Sequence, residues 1–131
     1  MSWVREVEKR GAGEIIITSI DKEGTGSGLD LELIRLISTE VSIPLIAHGG
    51  ASSAKDLIEA IQNGKADAVS AASMFHYAAL NRNSNLLKNY KSEGNIEFLK
   101  SGSSYNIFGN ANLSEIKNSM SEQNIPVRKQ Y

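Results

Sequence analysis

Three stretches of the chain end on small or polar residues where bare backbone could hold one phosphate. The first is Glu14-Ile15-Ile16-Ile17-Thr18-Ser19-Ile20-Asp21, which leads into Gly24-Thr25-Gly26-Ser27-Gly28. The second, residues 43–48, finishes on His48 and is followed by Gly49-Gly50. The third, residues 68–73, runs straight into Met74-Phe75-His76-Tyr77. Backbone N–H groups freed by glycine and aimed by helix N-termini suit a dianion. Gly49-Gly50 ahead of a serine-capped helix carries this signal best, because adjacent glycines let an anion approach the chain at a helix start. Ser73 adds a hydroxyl at another helix start, and Ala72 beside it leaves room. Residues 24–28 could be only a flexible turn. They are no dinucleotide fingerprint, since the third glycine falls one position early, and they lack the Gly-Lys-Ser/Thr of a P-loop. Taken together, the three strand ends favour phosphate.

Other polar residues stand near these ends. His48 could assist proton transfer or contact phosphate, and with no carboxylate partner evident in the sequence it reads more readily as a hydrogen-bonding residue. Asp21 and Glu23 could bind a ligand hydroxyl or act as a base, and loop capping explains them equally well. Thr18 should face the substrate side or simply fill a β position. Glu14 opens the first strand on that same side, where an unpaired acid is costly; a solvated strand start is the alternative. His76, beside Phe75 and Tyr77, is read as a packing residue. Two histidines without cysteine predict no metal site, and no motif predicts a cofactor.

The elements that place these residues follow from periodicity. Trp3, Val4 and Val7 recur at helical spacing ahead of Gly11 and Gly13, so Trp3 is expected to face the core. Residues 15–20 are a β-branched run too short for a core helix. Leu31, Leu33, Ile34, Leu36 and Ile37 mark a helix with Asp30 as its N-cap. Pro44 opens the second strand, where a missing N–H costs little. Ser52 or Ser53 caps the helix bearing Leu57, Ile58 and Ile61, which Asn63-Gly64 closes. Strands alternating with helices over short links predict an α/β fold of βαβ units, with parallel strands whose C-terminal ends share one rim. From 81 to 112, Asn, Ser, Lys and Gly dominate, which predicts an insertion or loosely attached segment. An amphipathic helix through Leu113, Ile116 and Met120 follows, ending near Asn124.

The 131 residues allow one domain. A net charge of −1 gives no support to nucleic-acid or membrane attraction. The chain lacks cysteine, carries charges at residues 5–10 where a signal peptide needs an apolar run, and contains no span-length apolar stretch. A soluble, cytoplasmic protein is expected.

Several longer words carry a resemblance. Trp3-Val4-Arg5-Glu6-Val7-Glu8-Lys9-Arg10-Gly11-Ala12-Gly13-Glu14, Thr18-Ser19-Ile20-Asp21 and Gly24-Thr25 resemble the cyclase subunit of imidazole glycerol phosphate synthase. So do Ile46-Ala47-His48-Gly49-Gly50-Ala51, Ala71-Ala72-Ser73-Met74-Phe75-His76 and Ile125-Pro126-Val127-Arg128. The resemblance implies a TIM-type (β/α)8 barrel, here its C-terminal part with strands matching the sixth to eighth, so that 1–131 is a single partial barrel domain. It implies a cyclase in histidine biosynthesis that uses ammonia from a glutaminase partner and a substrate with two phosphates. Gly24, Thr25, Gly49, Gly50, Ala72 and Ser73 match one phosphate-binding half of that site. Glu14 matches a ring of charges at the barrel bottom, where ammonia enters. The family's catalytic aspartates belong to the first and fifth strands, so the resemblance carries no catalytic residue onto this chain, and Asp21 matches neither. His48 stands where the histidine-pathway enzymes usually have serine, and Glu23 where they usually have aspartate. Cyclase-like partners of amidotransferases in surface-polysaccharide sugar biosynthesis resemble the chain in such changes. The expected partners are a phosphorylated small molecule, the glutaminase, and either an N-terminal barrel portion or a second copy. A noncatalytic phosphate-binding module is the alternative.

Overall fold

A computed structural model describes residues 2–82 and 111–128. The insertion expected at 81–112 therefore lies almost wholly outside the described residues.

The β-branched run forms β1 (Ile15–Thr18), followed by β2 (Leu45–His48) and the two-residue β3 (Ala68–Val69). Helices α1 (Ser2–Lys9), α2 (Leu31–Ser38), α3 (Ala54–Gln62), α4 (Ser73–Arg82) and α5 (Leu113–Glu122) alternate with the strands and follow them. The strands lie in the order β1-β2-β3 and both pairings are parallel, as expected. Ile15 pairs with Leu45, Thr18 with His48, and Ala47 with Val69.

Period-two alternation sorts the sheet into two faces. Ile15, Leu45 and Ala47 are buried beneath the helices in one core with Ile34 and Ile37 of α2 and Leu57 and Ala60 of α3. The opposite face carries Glu14, Ile16, Thr18, Ala68 and Ser70, all exposed, with Ile46 and His48 half-buried. Ile16 is 62% exposed and Ile20 90%. Parallel sheets are ordinarily covered on both faces. Among the described residues one face is helical and the other bare, the arrangement of a section of a (β/α) barrel seen from its inner side.

Both outer strands are shorter than the runs 15–20 and 68–73 predict. One further ladder bond, Ser19 N–H to the His48 carbonyl at 3.3 Å, ends β1, and the chain then turns with Glu23 N–H donating to the Ser19 carbonyl at 2.9 Å. For β3, Ser70 N–H to the Ala47 carbonyl at 2.8 Å is the last bond before α4 begins. Trp3 corrects the sequence reading. It is 66% exposed, on the flank of the stripe by which Val4 and Val7 reach the core. One residue along a helix turns the side chain by about 100°, so neighbours of a buried position need not share its face.

The caps fall where the residue types put them. Asp30 Oδ1 accepts from Leu33 N–H at 3.0 Å, and its Oδ2 accepts from the Ser19 hydroxyl at 3.2 Å, tying the end of β1 to the start of α2. Ser53 and Asp56 form a reciprocal capping box on α3, and Asn112 caps α5.

Candidate functional site

The three strand ends converge on a small, open pocket. The loop after β1 contributes Glu23, Gly24 and Gly26, and the end of β2 contributes His48, Gly49, Gly50 and Ala51. The approach to α4 adds Ser70, Ala71, Ala72 and Ser73. The backbone N–H groups of Gly50, Ala51 and Ser73 on its wall donate no hydrogen bond among the described residues. Ser73 on the wall also opens α4, which adds the partial positive charge of that helix start.

Backbone geometry explains the glycine pair. Gly49 and Gly50 adopt φ of +103° and +92°, which L side chains rarely tolerate. A Cβ at Gly50 would overlap the Gly28 carbonyl oxygen and lie 2.9 Å from Lys22. Gly28 N–H donates to the Gly50 carbonyl at 2.9 Å. The pair therefore joins two strand-end loops as well as leaving amides bare on the pocket wall.

Asp56 holds the α3 end of this rim. Its Oδ2 accepts from Ser52 N–H at 2.9 Å, the Ser52 hydroxyl at 3.0 Å and Ser53 N–H at 2.9 Å. Partial burial pushes its carboxyl upward, but the N–H groups and hydroxyls of Ser52 and Ser53 outweigh that and hold it below the usual carboxylate range. The spacing Ser53-x-x-Asp56 signalled this box in the sequence; Asp56 was not singled out there.

Of the residues expected to hold phosphate, Gly24, Gly49, Gly50, Ala72 and Ser73 line the pocket, and Thr25 does not. The Thr25 hydroxyl donates to the Lys22 carbonyl at 2.7 Å and shares a 2.8 Å bond with Ser27, so it braces the loop. Thr18 shares a row of the open face with His48, off the pocket wall. Asp21 is exposed beside the pocket without lining it, and Glu14 is exposed at the far end of β1. His76 is exposed, with its ring edge-on to Tyr77 at 5.3 Å between centroids.

The expectation of an unpartnered His48 is corrected. Its Nε2 lies 3.3 Å from Glu23 Oε2, and its Nδ1 lies 3.1 Å from the Ser70 carbonyl. These contacts join all three strand ends. A separation of 25 positions between Glu23 and His48 gave no local signal in the sequence; only the parallel pairing of β1 with β2 brings them together.

A family model described as "Histidine biosynthesis protein" matches residues 1–81. The chain belongs to the histidine biosynthesis protein family. Within it, the chain is 51% identical over 80 residues to the imidazole glycerol phosphate synthase subunit HisF of Trichormus variabilis, covering 61% of this chain and 31% of that protein. It is 45% identical over 96 residues to the HisF subunit of a Nostoc species, covering 73% of this chain and 36% of that protein. The chain spans about a third of the length of these curated relatives. In this histidine biosynthesis family member, the matched region contains α1, all three strands and the whole pocket wall.

Proposed function

We propose that the chain supplies one phosphate-holding section of a cyclase-type barrel, acting as the relatives named for imidazole glycerol phosphate synthase act in histidine biosynthesis. One observation carries this reading: unpaired backbone amides from two strand ends, Ser73 among them at the start of α4, line a single pocket. In that reading Gly50, Ala51 and Ser73 bind phosphate oxygens through backbone N–H groups. Gly24 and Ala72 keep the walls low, and Asp56 fixes the α3 end.

The same reading makes the bare sheet face the side on which the remaining βα units close, and Glu14 a charge at the ammonia entrance. A glutaminase supplies the ammonia. The chain alone turns over no substrate, because the acid and base come from other strands. The His48–Glu23 pair favours a second reading of the substrate, a phosphorylated sugar handled by a cyclase-like partner of an amidotransferase in surface-polysaccharide synthesis.

Mixing the chain with a separate polypeptide spanning the remaining two-thirds of the Nostoc relative tests the proposal. Ammonia-dependent formation of imidazole glycerol phosphate by the mixture, and none by either piece, is the expected result. Turnover by the 131-residue chain alone would refute it. Turnover restricted to a phosphorylated amino-accepting sugar would select the second reading.

A further inference from the structure

Asn63-Gly64 is the single Asn-Gly pair in the sequence, and it closes α3. Such a pair can react with itself. The Gly64 nitrogen, with no side chain of its own residue in the way, loses its proton and attacks Asn63 Cγ. The Cγ–Nδ2 bond breaks, ammonia leaves, and a five-membered succinimide remains. Water then opens either carbonyl of that ring, giving aspartate or isoaspartate. Asn63 is exposed, so water and hydroxide reach it.

Ring closure makes two demands on the backbone. The Gly64 nitrogen must be free, and the Asn63 torsion from Cβ through Cα and C to the Gly64 nitrogen must approach zero. The fold denies both. Gly64 N–H donates to the Glu59 carbonyl at 3.0 Å. Asn63 has a helical ψ of −40°, which leaves that torsion far from eclipsed. Rotating the peptide plane to close the ring would also pull the Asn63 carbonyl off Arg35, whose Nε and Nη2 donate to it at 3.2 and 2.9 Å. One peptide plane is thus held at both ends, by α3 at its N–H and by α2 at its carbonyl.

We infer that Asn63-Gly64 is a deamidation site that the folded chain holds shut and that opens when the turn between α3 and β3 comes loose. The inference stands apart from the phosphate reading and uses none of its residues. Neither product suits the closed turn. Each adds a negative charge at the C-terminal end of α3, where the helix dipole disfavours it. Isoaspartate also inserts a methylene into the main chain, and the turn has no slack for it. A Cβ at Gly64 would lie 2.5 Å from the Ala60 carbonyl oxygen and 2.9 Å from Ile34 Cγ2. Ala66 N–H donates back to that same Ala60 carbonyl at 3.1 Å. The turn leads directly into β3, so conversion loosens the edge of the sheet. Anything that stabilises the folded chain, a partner on the bare sheet face included, slows the reaction.

The test holds the full chain in mildly alkaline buffer, with and without urea, and follows the tryptic peptide 56–65 by mass. Deamidation adds about one dalton, and isoaspartate separates from aspartate by chromatography. Conversion should be about tenfold faster or more in urea, because reaction in the folded chain waits on opening of the turn. Arg35→Ala should speed conversion several-fold in buffer and leave the rate in urea unchanged. Arg35→Lys, which keeps one donor, should fall between and serves as the second variant if Arg35→Ala unfolds. Asn63→Gln is the blank. Equal rates with and without urea, or no conversion in either, overturn the inference. A folded Arg35→Ala chain that converts no faster than the unsubstituted one overturns the part given to Arg35.

Discussion

Gly28 donates its N–H to the carbonyl of Gly50 across 2.9 Å, and this bond fastens the loop after β1 to the rim of β2. A side chain at Gly50 would strike the Gly28 carbonyl and Lys22 at once. The bond and the missing Cβ are one feature, because the carbonyl can approach only where no side chain intervenes.

Gly50→Ala should therefore be costly. Backbone atoms form the obstacle, and the residue holds a positive φ, so a loss of about 2–4 kcal/mol is expected from strain and displacement together. Gly24→Ala is the control. Gly24 also has positive φ, but a Cβ there would meet nothing within 4 Å, so only the backbone cost of about 1–2 kcal/mol remains. Urea denaturation of the two variants measures the difference.

Asp56 should give the rim a dependence on acid. Its folded carboxyl is held below the ordinary value of 3.8, so its stabilising contribution is complete at neutral pH. It is lost as pH falls below that ordinary value and through the lower folded one. Asp56→Asn should lower stability by about 1 kcal/mol at pH 7, the scale of a lost cap. The gap between variant and unsubstituted chain should close towards pH 3. Melting curves across that range check the sign, and a gap that widens in acid would contradict it.

The bare sheet face should govern self-association. Ile16 is already in solvent, so Ile16→Lys should alter folding stability by less than about 0.5 kcal/mol. It should nevertheless reduce association in light scattering, because a charge now interrupts the exposed apolar face. Leu45→Ala on the buried face should instead cost about 2–5 kcal/mol.

Much of this is legible in the sequence itself. The triple isoleucine of β1, Pro44 ahead of β2 and the caps Asp30 and Ser53 are local signals, and local chemistry suffices to read them. The pocket wall at Gly24, Gly49, Gly50, Ala72 and Ser73 was legible for the same reason, since glycine and helix starts announce where backbone amides lie bare. Relations that depend on register were hidden. His48 meets Glu23 only because β1 and β2 pair in parallel with Thr18 opposite His48. Thr25 reads as a phosphate ligand until its hydroxyl is found committed to Lys22 and Ser27. Trp3 was misjudged because a three-residue helical pattern marks a stripe but not its edges.

The central feature of the molecule is one cradle built jointly by strand ends that lie far apart in sequence. Titrating inorganic phosphate into isotopically labelled chain and following every backbone amide tests it most directly. The resonances of Gly50, Ala51 and Ser73 should move together along one saturation curve while those of α5 stay still. Separate curves for Gly50 and Ser73, or saturation confined to residues elsewhere on the surface, would contradict it.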